Sequence, residues 1–156
     1  PRYFQWNIFN HTTLEKACFD IDGVLCKDPL SDENDDGEKY KSFLLNAAPM
    51  YLPGSKIGTL VTSRLEKYRK ETETWLDANG VIYNKLIMLD LPDMMARQNA
   101  NCHGKHKAKE YKSKKYNLFV ESDLTQAKEI NRITKKPVFC TENFQNVAGD
   151  TSSGAM

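Results

Sequence analysis

Residues 17–25 read Ala-Cys-Phe-Asp-Ile-Asp-Gly-Val-Leu, an apolar run that ends in two carboxylates and a glycine. A short apolar run closed by Asp22-Gly23 has the pattern of a buried strand entering a turn. Two carboxylates two residues apart at a strand end point the same way and repel each other. A bound divalent cation offsets that repulsion, and an oxygen-rich site of this kind suits magnesium. A carboxylate held beside such a cation, here Asp20, can attack phosphorus. Asp22, on a turn freed by Gly23, can then protonate the leaving oxygen and later activate water.

Outward from this stretch, short apolar runs alternate with amphipathic ones. Further strands are predicted over 57–61, 86–89, 118–120 and 137–140, and helices over about 38–47, from 65 to about 79, over 103–114 and over 124–134. In the second helix Leu65, Tyr68, Thr72, Trp75 and Leu76 recur at helical spacing before Gly80. Strands and helices alternating in this way predict an α/β, three-layer, Rossmann-like domain with a five-stranded parallel sheet. Ligands of such sheets bind beyond the carboxyl ends of the strands. Asp20, Asp22, Thr62 and Glu121 all stand at those ends.

The chain has 156 residues, enough for one domain with a real core. Its net charge of +1 argues against nucleic acid or an anionic membrane as a partner of the whole molecule. No apolar run approaches the roughly 18 residues that span a bilayer. The four cysteines, Cys18, Cys26, Cys102 and Cys140, form no C-x-x-C pair and read as reduced thiols in a cytoplasmic protein. The opening at Pro1 and the aromatic stretch PRYFQWNIF suggest a lead-in, 1–16, from an upstream domain, where Trp6 and Phe9 could pack on this domain or on a missing partner. A main domain over 17–142 and a small, polar, flexible tail over 143–156 complete the division.

CFDIDGVL resembles the first motif of the haloacid dehalogenase (HAD) superfamily, an apolar strand followed by D-x-D-G-[TV]. IGTLVTSR is similar to the second motif, whose hydroxyl, here Thr62, binds the transferring phosphoryl group; Ser63 and Arg64 follow as further substrate contacts. The third motif is a lysine that neutralises the phosphoryl group, for which Lys107 in GKHKAKEYK is the first candidate and Lys109 the reserve. The fourth is an acidic metal ligand after a strand, and NLFVESD offers Glu121 with Asp123 nearby, although Glu121-Ser122 departs from the commoner paired aspartates. The resemblance implies a HAD core with a minimal cap or flap and a magnesium-dependent phosphohydrolase that forms an aspartyl-phosphate on Asp20. The implied metal set is Asp20, Asp22, Glu121 and Asp123.

More narrowly, the aromatic lead-in, NDDGEKY (34–40), KIGTLVTSRLEKYR (56–69) and LFVES (118–122) followed by QAKEIN (126–131) resemble HAD domains found behind a phosphoribosyltransferase domain. That likeness implies a small phosphorylated metabolite, of nucleotide or phosphoribosyl type, as substrate. It also opens the alternative of a non-catalytic phosphate- and magnesium-binding module regulating a fused phosphoribosyltransferase.

Two further patterns compete for a metal. SDENDDG (31–37) matches the first half of an EF-hand loop, but its twelfth position is Phe43, so a mobile flap over the site is the better reading. Cys102, His103 and His106 lack a fourth ligand at fitting spacing and read as an exposed polar turn.

Overall fold

Where the apolar runs are short and rich in β-branched or aromatic residues, the chain extends; where they recur every three or four residues, it coils. The computed structural model describes residues 12–142 and 145–147. A 3-10 turn over Thr12–Lys16 leads into β1 (Ala17–Phe19). There follow α1 (Glu38–Asn46), β2 (Ile57–Leu65), α2 (Arg69–Ala78), β3 (Tyr83–Leu89), α3 (Met94–Ala100), α4 (His103–Tyr111), β4 (Leu118–Glu121), α5 (Leu124–Thr134), β5 (Val138–Cys140) and β6 (Gln145–Val147). The sheet order is β3-β2-β1-β4-β5-β6, with β1 to β5 all parallel and β6 antiparallel to β5.

Successive residues of a strand face opposite sides, so each central strand supplies two cores. Ala17, Phe19, Leu60, Val120 and Phe139 pack with Tyr40, Phe43 and Leu44 of α1 and Trp75 and Leu76 of α2. Cys18, Val61, Phe119 and Val138 pack on the other face with Ala108 and Tyr111 of α4 and Ala127 and Ile130 of α5. The result is the expected three-layer, Rossmann-like α/β fold, with the parallel strands buried on both sides.

Several boundaries differ from expectation. β2 runs on to Leu65, where a helix was predicted to begin; its pairing with β3 shifts register between Val61 and Leu65, and α2 starts only at Arg69. α3 was not foreseen because it buries no residue and so carries no apolar stripe; Asp93 caps it by accepting from the Ala96 amide. The stretch 143–156, expected as a tail, contributes β6 to the sheet edge. The rest of that tail and the lead-in up to residue 11, with Trp6 and Phe9, lie outside the described residues. Among the described residues no helix is long and apolar enough to cross a membrane.

Candidate active site

The chain reverses its direction of travel across the sheet at β1: β2 and β3 lie to one side, β4 and β5 to the other. A parallel sheet opens a crevice at such a point, beyond its carboxyl edge. Asp20 follows β1 directly, its amide donating to the Val120 carbonyl (3.0 Å), and Glu121 ends β4 beside it. The turn after Asp20 is wound around the Ile21 carbonyl, which accepts from the amides of Val24 (3.1 Å) and Leu25 (2.9 Å). Gly23 sits in this turn at φ +81°, and a Cβ there would stand 2.3 Å from Ser122 Oγ. Both the backbone angle and the approach of the β4 loop therefore require glycine.

Lys107, one of six lysines between 105 and 115, is the one buried, at 2% exposure. Its position on the inner face of α4 brings Nζ to 3.2 Å from Asp20 Oδ2 and 2.7 Å from Glu121 Oε1, and it donates to Gln126 Oε1 at 2.7 Å. Burial alone would drive this ammonium toward neutrality, but the two carboxylates outweigh it and hold Lys107 charged. Asp20 is pushed well above the ordinary carboxyl range, first by burial and then by the charge of Glu121; Lys107 pulls it back only in part. Lys109, the reserve candidate, is exposed and lines a different groove.

Arg64 is placed differently from the expected substrate contact. It is buried at 1% exposure and grips Asp22 with two bonds, Nε to Oδ2 (3.1 Å) and Nη2 to Oδ1 (2.7 Å). Its other donor reaches Thr72 Oγ1 at 3.2 Å, and its plane lies 6.0 Å from the Phe43 ring centroid. Burial would raise the Asp22 carboxyl, but this guanidinium wins and holds it below the usual range. A carboxylate so held is a poor proton donor, which removes the acid half of the role expected of Asp22.

Thr62 is buried, with Oγ1 accepting from the Arg64 amide (3.1 Å) and its carbonyl 2.9 Å from His106 Nε2. Ser63 borders the same cleft, its hydroxyl unpartnered among the described residues. His106 thus serves the β2–α4 junction. Among the described residues no set of three metal-binding side chains is present, whether around Cys102 and His103 or elsewhere.

Several of the donor atoms expected to hold magnesium are committed within the protein. Glu121 Oε2 accepts from the amides of Ser122 (3.0 Å) and Asp123 (3.1 Å), and its other oxygen takes Lys107. Asp123 caps α5 through the Gln126 amide, as a helix-start aspartate does. The Asp22 carbonyl accepts from Ser122 Oγ at 3.1 Å, and the Asp22 carboxylate is held by Arg64. The ammonium of Lys107 lies between Asp20 and Glu121, so this carboxylate pair already has a cation. The arrangement described does not fit the expected magnesium set.

These groups border an open cleft of about 740 Å³. One wall is formed by Lys27, Asp28, Pro29 and Asn34; of the loop 31–37 expected as a flap, Asn34 alone borders the cleft. The acidic loop that follows is tied down. Asp35 accepts from the amides of Gly37 and Tyr40, and Asp36 takes the Tyr68 hydroxyl, Lys67 Nζ (3.2 Å) and the Met94 amide (3.2 Å). The Asp35 and Asp36 carboxylates are thus spent on structure. Three other cleft residues, Asp28, Arg97 and His103, stand in no motif that would single them out for this cleft. Asp28 is pushed above the ordinary carboxyl range by burial and by the charges of Asp22 and Glu121. An i, i+4 pairing of His103 with Lys107 on α4 is the one signal that could have found the histidine.

No family model matches the chain, and no curated protein does. Solved structures do. A chain in the structure of the Pnkp1/Rnl/Hen1 RNA repair complex aligns at a TM-score of 0.52 and 21% identity, over 85% of this chain and 44% of that one. A chain in a second structure of the Pnkp1/Rnl/Hen1 complex aligns at a TM-score of 0.47 and 21% identity, over 84% of this chain and 46% of that one. The chain thus spans less than half the length of either.

These findings correct two expectations. The solved structures that the fold resembles are chains of an RNA repair complex, and nothing found links this chain to a HAD domain behind a phosphoribosyltransferase. The magnesium-dependent HAD phosphohydrolase acting on a small metabolite, and its alternative as a regulatory module of a phosphoribosyltransferase, are set aside with that link.

Proposed function

We propose that the cleft takes a terminal phosphate of an RNA strand and removes it. The observation that carries this reading is the buried Asp20–Lys107–Glu121 cluster on the floor of an open cleft. It is a preorganised cation beside a carboxylate that, among the described residues, has no ion partner but that cation. Asp20, in its ionised form, attacks phosphorus as the bond to the terminal sugar oxygen breaks. Lys107 and Thr62 neutralise the charge that builds on the phosphoryl oxygens. Asp28, raised in pKa beside the turn, gives its proton to the leaving oxygen and, once ionised, draws a proton from the water that frees Asp20, so the cycle returns it to its starting state; Asp22, held ionised by Arg64, fixes the turn.

The RNA part of the reading is drawn from the neighbouring fold, which belongs to a chain of an RNA repair complex. The openness of the cleft suits a large substrate better than an enclosed metabolite. Cys18 and Cys26, buried and in no disulfide among the described residues, go with a reducing, cytoplasmic setting.

The test is phosphate release from a panel containing oligoribonucleotides phosphorylated at either end, mononucleotides and sugar phosphates, each with magnesium and with a chelator. Release preferring the oligoribonucleotides supports the reading. Equal or better release from sugar phosphates overturns the substrate class, and no release from any of them overturns the reaction.

A further inference from the structure

The net charge of +1 conceals a strong asymmetry. Residues 103–136 hold ten Lys and Arg against four Asp and Glu, a net charge of +6, so the remainder of the chain is net acidic. Lys107 is the one basic residue of this segment drawn into the catalytic cluster; most of the others face solvent. Lys105, Lys109, Lys128 and Arg132 are carried by α4 and α5, which pack side by side on one face of the sheet, and Lys112, Lys114, Lys115 and Lys135 follow the C-terminal ends of these helices.

The seam between the two helices is closely packed. A Cβ on Gly104 of α4 would stand 1.9 Å from the Glu129 carboxylate of α5. Two grooves run along this seam. One, of about 680 Å³, is bordered by Lys128 and Arg132 and shares His103, Asp123 and Gln126 with the catalytic cleft. The other, of about 190 Å³, is bordered by Lys105, Lys109, Lys112 and Ile133. Lys105, Lys109 and Lys112 recur at i, i+4 and i+7, hence along one side of α4 and its C-terminal end. Among the described residues none of these three, nor Lys128, lies within 4.0 Å of an acidic partner; Arg132 has a loose pair with Glu129 at 3.7 Å.

Exposed lysines with no acidic partner within 4.0 Å outnumber the two carboxylates of the seam groove, Asp123 and Glu129, and leave a field that an isolated phosphate in the cleft does not need. A chain of phosphates does need it, and neutralising several phosphates with lysines is the largest source of sequence-independent affinity for nucleic acid. We propose that the α4–α5 seam is the docking surface for the single-stranded polynucleotide whose end enters the cleft, with the groove bordered by Lys128 and Arg132 as the path between them. This rests on the reading of the cleft as an RNA-end site, but the surface can be tested apart from it. The expectation from net charge that nucleic acid is no partner is reversed here, because the distribution of charge decides binding at this distance and not its sum.

The experiment uses a fluorescent single-stranded oligoribonucleotide of about twelve residues, with Kd measured by anisotropy over a range of KCl. The charge reversal Lys105→Glu, Lys109→Glu, Lys112→Glu is compared with wild type, and thermal melting confirms that both are folded. The proposal expects Kd to weaken at least tenfold at low salt, and the slope of log K against log salt to fall by about 2, from roughly 0.7 for each phosphate that is no longer neutralised. Phosphate release from a mononucleotide is expected to stay as in wild type. An unchanged Kd and slope overturns the docking surface, and so does competition by poly-glutamate as effective as that by unlabelled RNA, which would assign the seam to an acidic protein. Salt-dependent RNA binding that disappears in the triple variant, with no phosphate released from any compound, keeps the surface and rejects the reaction. Release that prefers RNA ends in wild type and triple variant alike keeps the reaction and rejects the surface.

Discussion

Lys107 carries two burdens at the scale of single residues: it holds two buried carboxylates together and, in the proposed reaction, it faces the phosphoryl group. Replacing it with Met leaves Asp20 and Glu121 buried beside each other without a cation, a change of about 3 to 5 kcal/mol when the orphaned charge cannot escape. Here it can escape in part, because protons can bind. In Lys107→Met the folded Asp20 carboxyl, already raised, loses the ammonium that pulls it back, so stability is highest at low pH and is lost as pH rises through the raised folded value. Denaturation by urea at several pH values checks this; a variant as stable at neutral pH as at pH 4 would contradict it.

Asp20 supplies a second prediction at the same scale. In the proposed reaction it works as a carboxylate, and burial with Glu121 beside it holds its pKa above the ordinary 3.8. The acid limb of the rate profile is therefore expected above 3.8, moving higher still in Lys107→Met if activity remains measurable. A limb at or below the ordinary value would show that Asp20 is not the group titrating. Asp22 has the opposite sign: Arg64 lowers it, so its contribution to stability is present above its unfolded pKa and is lost as pH falls through the lower folded one. Asp22→Asn should flatten that acid loss in a denaturation series.

At the scale of elements, the turn after β1 and the loop after β4 lock into each other. Gly23 lies under Ser122, Ser122 Oγ bonds the Asp22 carbonyl, and Thr141 Oγ1 donates to the Gly23 carbonyl at 3.1 Å. Gly23→Ala has both an unfavourable positive φ and a Cβ inside Ser122, and is expected to cost about 2 to 4 kcal/mol. Adding Ser122→Gly removes the collision but not the backbone strain, so thermal melting of the double variant should recover only part of the loss. Full recovery, or none, would contradict the assignment of the strain to two separate causes.

This scale also shows what a sequence can and cannot carry. The strand ends bearing Asp20 and Glu121 were legible because a buried parallel strand is a short apolar run, and its end is marked by the first charge. Lys107 was legible only through resemblance; six lysines in eleven positions leave composition no means of choosing the one on the inner face. Arg64 was misplaced because its partner, Asp22, lies 42 residues away and a sequence shows no pairing across that separation. α3 left no trace because nothing in it is buried, and β6 because an edge strand of three residues has too short a pattern to detect.

For the molecule as a whole, the two cores on either side of the sheet have separate tasks. α1 and α2 support Arg64 and the turn that presents Asp22, while α4 and α5 present Lys107 inward and the basic seam outward. The cleft at the reversal point of the sheet is the place that both reach. The overall charge is misleading for a similar reason: a sum over the chain erases the difference between the helices of one layer and everything else.

The measurement closest to the central claim is phosphate release from a terminally phosphorylated oligoribonucleotide by wild type and by Asp20→Asn, a change that preserves shape and removes the attacking charge. Wild type is expected to release inorganic phosphate at a measurable rate, and Asp20→Asn at least about a thousandfold more slowly with its melting temperature no lower. Equal rates in the two proteins would contradict the account, since the cleft built around Asp20 and Lys107 would then have no part in the chemistry.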